Sequence, residues 1–187
     1  MIFYFSATGN SKYVAERVAG ATDDHLIFLR DAIRSRCYHF DVSLEKRIGF
    51  VVPAYCCGLP SILNFFVDKL RLSGYEDQYV YLVLTCGSAT GDAAGQLGKL
   101  LGKKGIALNA QFAVPMVDNN VTAHKIPDRE EIDRRLDGAE EYIDEACRAI
   151  RARGAGDYNR CQGALPGALT AASYPAYAFG RSTKPFV

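Results

Sequence analysis

The amino-terminal stretch Met1–Ser11, with the sequence MIFYFSATGNS, decides the fold of this chain. Its apolar and aromatic run, residues 2–5, is typical of a short buried strand. Residues 6–11 then place three hydroxyls, an amide side chain and a glycine at the start of a helical pattern. The first amides of a helix lack partners within the helix, and the helix dipole favours an anion there. The stretch therefore predicts a loop that holds a phosphate group.

The predicted loop carries no charge of its own, although Lys12 follows it directly. Hydroxyls and backbone N–H groups can bind phosphate oxygens without a cation. Neither the P-loop pattern nor the glycine-rich dinucleotide pattern is present. A neutral loop suits a monophosphate that is held by hydrogen bonds. It is less suited to a nucleoside triphosphate, which a lysine and a metal ion usually hold. The alternative is a polar turn that only caps a helix.

A hydrophobic strand followed by Ser-x-Thr-Gly-Asn-Ser, here residues 6–11, resembles the phosphate loop of the flavodoxin family, which binds flavin mononucleotide (FMN). The resemblance implies an α/β flavodoxin-like three-layer sandwich. Its sheet would have five parallel strands in the order 2-1-3-4-5, with helices on both faces. FMN is the cofactor that the resemblance implies.

Length and composition limit the class of protein. At 187 residues with a net charge of +1, the chain suits one domain and gives no sign of nucleic-acid binding. No apolar run reaches the length of a membrane span, and no signal peptide precedes the first strand, so a cytoplasmic protein is expected. The six cysteines form no CxxC pair and only three histidines occur, which favours free thiols over disulfides or a metal site.

Strand and helix patterns alternate along the chain. Apolar runs predict strands at residues 2–5, 25–29, 47–52, 79–84 and 106–114, and helical periodicity predicts helices at 11–20, 61–72, 92–104 and 129–153. Gly20 is expected to end the first helix, and Asp128 to cap the last one with Glu131. The strict alternation over 106–114, with one polar face, predicts a strand at the sheet edge.

Three loops with chemical character follow predicted strands 1, 3 and 4, at residues 6–11, 53–60 and 85–91. Because the carboxyl ends of parallel strands meet at one edge, these loops should converge there. The resemblance to flavodoxins implies that residues of all three loops bind the cofactor. These residues are Ser6, Ala7, Thr8, Gly9, Asn10, Ser11, Pro53, Ala54, Tyr55, Cys56, Cys57, Gly58, Thr85, Cys86, Gly87, Ser88 and Gly91. No catalytic acid or base is nominated, because the redox chemistry would belong to the cofactor.

Several residues in or near these loops allow more than one interpretation. Tyr55 is the candidate for stacking on a flavin ring, or else a half-buried loop tyrosine. Cys56 and Cys57 are redox-active thiols or small loop-filling residues, and Cys86 is read as a small residue near the ring. His124 lies in a polar segment, 116–127, that would form a lid or a partner surface, although a solvent-facing histidine is the simpler interpretation.

The sequence predicts a flavodoxin-like domain over residues 1–154 and a C-terminal extension, a short helix and linker, over 155–187. The end of the chain, residues 179–187, resembles the junction in fusion proteins that join a flavodoxin domain to a ferredoxin domain with 4Fe-4S clusters. That resemblance implies electron transfer to or from an iron–sulfur partner, tethered or separate. The alternatives are an FMN-dependent reductase of a quinone, azo compound or protoporphyrinogen, and an interaction module without flavin.

Overall fold

Six parallel strands form the central sheet of the computed structural model, which describes residues 1–118 and 127–179. The strands are β1 (Ile2–Tyr4), β2 (Leu26–Phe28), β3 (His39–Asp41), β4 (Arg47–Pro53), β5 (Arg71–Ser73), β6 (Tyr79–Cys86), β7 (Ala110–Pro115) and β8 (Gly156–Tyr158). The helices are α1 (Asn10–Thr22), α2 (Leu29–Arg34), α3 (Ser61–Lys69), α4 (Ala93–Gly102), α5 (Arg129–Arg151) and α6 (Pro166–Phe179).

The strand order across the central sheet is β2-β1-β4-β6-β7-β8, while β3 and β5 pair in a separate two-stranded sheet. The prediction of a five-stranded sheet is therefore wrong, because a sixth strand lies outside β7. The prediction of an edge strand at 106–114 is wrong for the same reason, and strand structure begins only at Ala110. The three residues of β8, Gly-Asp-Tyr, are too few to show a period of two in the sequence.

Helices cover both faces of the sheet, which gives the three layers that the sequence predicts. One face of β4 and β6 packs on α3 and α4 through Leu63, Phe66, Val67, Leu97 and Leu101. The other face packs on α1 and α5 through Val14, Val18, Ala139, Ile143 and Ile150. Both strands are buried along almost their whole length, as central parallel strands are expected to be.

Two helix ends test the local predictions. Helix α1 continues past Gly20 to Thr22 and ends at Asp23, which adopts a left-handed φ of 58°, so the prediction of a Gly20 cap is wrong. The Asp128 cap is confirmed, because its Oδ1 accepts a hydrogen bond from the Glu131 N–H at 2.9 Å. Within residues 1–118 and 127–179, no helix combines the length and apolarity that crossing a bilayer requires. The division at residue 154 stays a prediction.

Candidate functional site

A cavity of about 180 Å³ opens at the carboxyl ends of β1, β4 and β6. All three predicted loops reach it, together with the segment after β7. The lining residues are Ser6, Ala7, Thr8, Asn10, Ser11, Pro53, Ala54, Tyr55, Thr85, Cys86, Gly87, Val117 and Asp118. This is the edge at which parallel α/β sheets bind ligands.

The first loop presents the start of α1 to this cavity. Gly9, at the N-cap, has a φ of 109°, and no side chain caps the helix. The first turn contains no acidic residue. A Cβ added to Gly9 would meet nothing within 4 Å, so this side of the loop is open. The positive end of the α1 dipole therefore meets the cavity with no carboxylate in the first turn of the helix itself.

Side chains of the first loop also fasten it to its neighbours. The Ser6 Oγ accepts a hydrogen bond from the Gly9 N–H at 3.1 Å, which holds the turn. The Asn10 Nδ2 donates to the Val117 carbonyl at 3.0 Å, and this contact joins the loop to the segment after β7. The Ser11 and Thr85 hydroxyls lie 2.7 Å apart in the core, so Ser11 fixes α1 to β6.

Charge is sparse around the cavity. Asp118 is the one acidic residue among the lining residues, and the described lining contains no lysine, arginine or histidine. Lys12, next to the loop, is exposed and lies 3.7 Å from Glu16 on its own helix. A phosphate here would be held by hydroxyls, backbone N–H groups and the helix dipole.

The second loop makes a tight turn at Tyr55–Gly58. The Tyr55 N–H donates to the Gly58 carbonyl at 2.9 Å, and the Gly58 N–H donates back to the Tyr55 carbonyl at 3.0 Å. Cys56 and Cys57 have φ values of 48° and 59°, in the left-handed region. Glycine and asparagine are the usual residues there, and other side chains cost about 1–2 kcal/mol each. The turn therefore stores strain that surrounding contacts must hold.

Helix α6 supplies those contacts to the turn. The Thr170 Oγ1 donates to the Cys57 carbonyl at 2.5 Å, and the Tyr174 hydroxyl donates to the Leu59 carbonyl at 2.8 Å. The ring of Tyr177 lies 5.6 Å, between centroids, from the ring of Tyr55. Thr170, Tyr174 and Tyr177 follow the i, i+4, i+7 spacing of one helical face, and this spacing is the sequence signal that identifies them.

Some predicted site residues face α6 instead of the cavity. A Cβ on Gly58 would come within 2.2 Å of the Tyr174 ring. A Cβ on Gly91 would come within 2.4 Å of the Cys57 carbonyl and the Thr170 hydroxyl. These two glycines make room for α6 contacts. Gly9, Cys56, Cys57 and Ser88 also do not line the cavity.

The remaining wall of the cavity comes from β6 and the segment after β7. Thr85 and Cys86 are buried at the end of β6. Gly87 lies against Asp118, where a Cβ would come within 2.8 Å of the carboxylate side chain. Val117 and Asp118 belong to the segment 116–127 predicted as a lid or partner surface, but they carry no motif and were not predicted as cofactor-binding residues. His124 and most of the predicted 116–127 lid lie outside the described residues.

Burial also affects the pKa of Tyr55, at the rim of the cavity. Desolvation raises the pKa of Tyr55 above its ordinary value, and the neighbouring Tyr177 raises it further. Tyr55 therefore keeps its phenol proton at neutral pH and presents an uncharged aromatic ring. In the described part of the chain, no group of histidine, cysteine or acidic side chains is arranged to hold a metal ion.

No protein-family model matches the chain, and no curated protein matches it. Among solved structures it is similar to the Trp repressor binding protein from Bacillus subtilis, with 17% identity and a TM-score of 0.51 over 81% of this chain and 97% of that chain. It is also similar to a protein provisionally named a flavoprotein, from Bacteroides uniformis ATCC 8492, with 18% identity and a TM-score of 0.50 over 73% of this chain and 96% of that chain. These likenesses support the flavodoxin-like α/β fold.

Proposed function

We propose that this chain binds FMN in the cavity at the carboxyl ends of β1, β4 and β6 and serves in electron transfer. One observation carries the proposal: a neutral, hydroxyl-rich loop, an uncapped helix N-terminus and an aromatic residue meet in a single cavity. The Ser-x-Thr-Gly-Asn-Ser motif at residues 6–11 supports FMN in particular. The chain's likeness to a provisionally named flavoprotein supports a flavin in general terms.

The residues present fit the two ends of such a cofactor. Ser6, Thr8 and the first amides of α1 would hold the phosphate. Tyr55, with the backbone near Gly87, would border the ring, because a flavin needs apolar or aromatic surface on its faces and polar groups at its edge. A bound flavin supplies the capacity to accept and pass on electrons. The protein's own contribution is to bind it, orient it and limit its contact with water.

We further propose an iron–sulfur protein as the redox partner, on the resemblance of residues 179–187 to a flavodoxin–ferredoxin junction. Those residues, apart from Phe179, lie outside the described part of the chain. A reductase of a small oxidant is the second candidate, and it would require turnover with a quinone or azo compound. A flavin-free interaction module is the third, and the intact phosphate-loop motif argues against it.

The test is an FMN titration of the apo protein, followed by the flavin absorption spectrum and fluorescence quenching. Replacing Thr8 by Ala removes one hydroxyl from the loop. If that hydroxyl binds a charged phosphate oxygen, its loss costs about 1.5–3 kcal/mol, which corresponds to roughly a 10- to 100-fold rise in Kd. Ser35→Ala is the matched control, because the exposed Ser35 hydroxyl bonds within α2 and does not line the cavity.

Riboflavin separates the phosphate site from the ring site, because it lacks the phosphate. FMN should bind wild type more tightly than riboflavin does, and Thr8→Ala should narrow that difference. Equal affinity for the two flavins would contradict the phosphate assignment. If a folded sample binds no flavin, the FMN assignment is overturned and the flavin-free interaction module is favoured.

A further inference from the structure

The hydroxyl of Thr170, on α6, connects the loops that follow β4 and β6. Its Oγ1 accepts a hydrogen bond from the Asp92 N–H at 2.8 Å, directly after the loop that follows β6. The same Oγ1 donates to the Cys57 carbonyl at 2.5 Å, in the loop that follows β4. A hydroxyl carries one hydrogen, so the hydrogen of Thr170 is committed to Cys57. One buried side chain, 9% exposed, thus joins two of the loops that reach the cavity.

Close packing surrounds this bridge. Gly91 has a φ of 56°, and a Cβ there would come within 2.4 Å of both the Cys57 carbonyl oxygen and the Thr170 hydroxyl. Because Gly91 has no side chain, the two loops approach closely enough for one hydroxyl to span them. At the ends of β4 and β6, the Ala54 N–H donates to the Thr85 carbonyl at 2.8 Å. The two loops are therefore connected at a second point.

Tyr55 lies in the chain between these two connections. Its turn is closed by reciprocal hydrogen bonds with Gly58, but these bonds do not fix the turn relative to the loop after β6. The positive φ values of Cys56 and Cys57 disfavour the turn on its own, so contacts from other elements must hold it. The Thr170 bridge is such a contact, and it sets the spacing between the Tyr55 turn and the loop after β6.

We propose that Thr170 is a positioning residue for the flavin ring, and that it sets the spacing of the two ring-binding loops before a flavin arrives. Thr170 does not line the cavity, so it acts through the turn that carries Tyr55. A preformed site binds more tightly, because binding does not have to order the loop. The effect on flavin affinity rests on the proposed function, whereas the effect on the turn does not.

The first test compares FMN and riboflavin binding to apo Thr170→Val and Thr170→Ser by quenching of flavin fluorescence. Valine keeps the branched shape without the hydroxyl, whereas serine keeps the hydroxyl. Thr170→Val should weaken both flavins by the same factor, about 5- to 30-fold, as expected for the loss of a bridging hydrogen bond. The ratio of the two affinities should stay at the wild-type value, whereas Thr8→Ala should narrow it. Thr170→Ser should bind both flavins as wild type does.

The second test needs no flavin and follows alkylation of the Cys57 thiol by iodoacetamide, mapped by mass spectrometry. Cys57 is only partly exposed, so release of the turn in Thr170→Val should speed its alkylation several-fold. The exposed Cys37 is the internal reference and should react at an unchanged rate. Ala172→Val is the matched control, because it places the same side chain on the opposite, exposed face of α6. It should match wild type in both tests.

Circular dichroism and the urea midpoint establish that each variant is folded. Gly91→Ala is a second perturbation, because its Cβ would separate the Cys57 carbonyl from an intact Thr170, and it should give the same two results. The proposal is overturned if folded Thr170→Val binds both flavins as tightly as wild type, if it weakens FMN alone, or if Cys57 alkylation is unchanged. If wild type binds no flavin, the proposed function fails, and alkylation alone decides whether Thr170 fixes the turn.

Discussion

Removing the Tyr177 side chain should release α6 from the Tyr55 turn. The Tyr177 ring contacts the rings of Tyr55 and Tyr174, with centroids 5.6 Å away in each case. Aromatic pairs contribute about 0.5–1.5 kcal/mol each beyond the area they bury. The Tyr177 hydroxyl also accepts a hydrogen bond from the Ser61 N–H at 3.1 Å, worth about 1 kcal/mol. Because Tyr174 lies on the same helix as Tyr177, only the Tyr55 ring contact and the Ser61 hydrogen bond join α6 to its neighbours through this residue. Tyr177→Ala should therefore lower the free energy of local opening by about 1.5–2.5 kcal/mol.

Hydrogen exchange followed by mass spectrometry measures that opening directly. Peptides covering residues 53–61 and 166–179 should exchange about 10- to 60-fold faster in Tyr177→Ala, since each 1.4 kcal/mol is about a factor of ten. Tyr177→Phe keeps both ring contacts and should accelerate exchange only about fivefold, as expected for about 1 kcal/mol. Peptides from β6, in the core, provide the internal control and should not change.

Equal exchange rates in the alanine and phenylalanine variants would contradict this prediction. That result would mean that the ring contacts contribute nothing to the position of α6. An absence of protection over residues 166–179 in wild type would also contradict the prediction, because α6 would then not be docked on the turn.

Three further changes test the core and its charges. Gly49→Ala should destabilise the fold by about 1–3 kcal/mol in urea, because the new Cβ would lie 2.4 Å from the Tyr81 ring; an unchanged urea midpoint would refute that packing. Tyr81→Phe should raise the free energy of unfolding by about 1 kcal/mol, since the buried Tyr81 hydroxyl has no hydrogen-bond partner among the described residues; a loss of stability would contradict this. Burial alone would raise the pKa of Asp24, but the hydrogen bonds and the charge of Arg47 bring that pKa below its ordinary value of 3.8. Its contribution is therefore present above that pH and is lost as the pH falls, so Asp24→Asn should show a smaller loss of stability than wild type in urea titrations from pH 5 to pH 2.

Much of the site was readable from the sequence because its signals are local. The loop at 6–11 follows a strand and begins a helix within one short stretch, and hydroxyls at a helix N-terminus indicate an anion site wherever they occur. The loops at 53–60 and 85–91 each follow an apolar run. Parallel strands place such loops together without further information.

The predictions that were wrong concern positions where the local sequence signal was weak or misleading. The alternating pattern at 106–114 has one polar face and predicts an edge, but β8 covers that edge with three residues that carry no pattern of their own. Gly20 is a typical helix end, yet α1 continues to Thr22. Tertiary packing overrides local propensity at such positions.

By itself, the sequence determined the alternation of strands and helices, the three converging loops and the neutral phosphate-type loop, because each depends on residues close together in the chain. Only the tertiary structure decided which loop residues reach the cavity and which face α6. It also decided that the Thr170 hydroxyl donates a hydrogen bond to the Cys57 carbonyl, 113 residues away. Contacts over such distances arise when separate elements pack on one sheet, and no periodicity within either element encodes them.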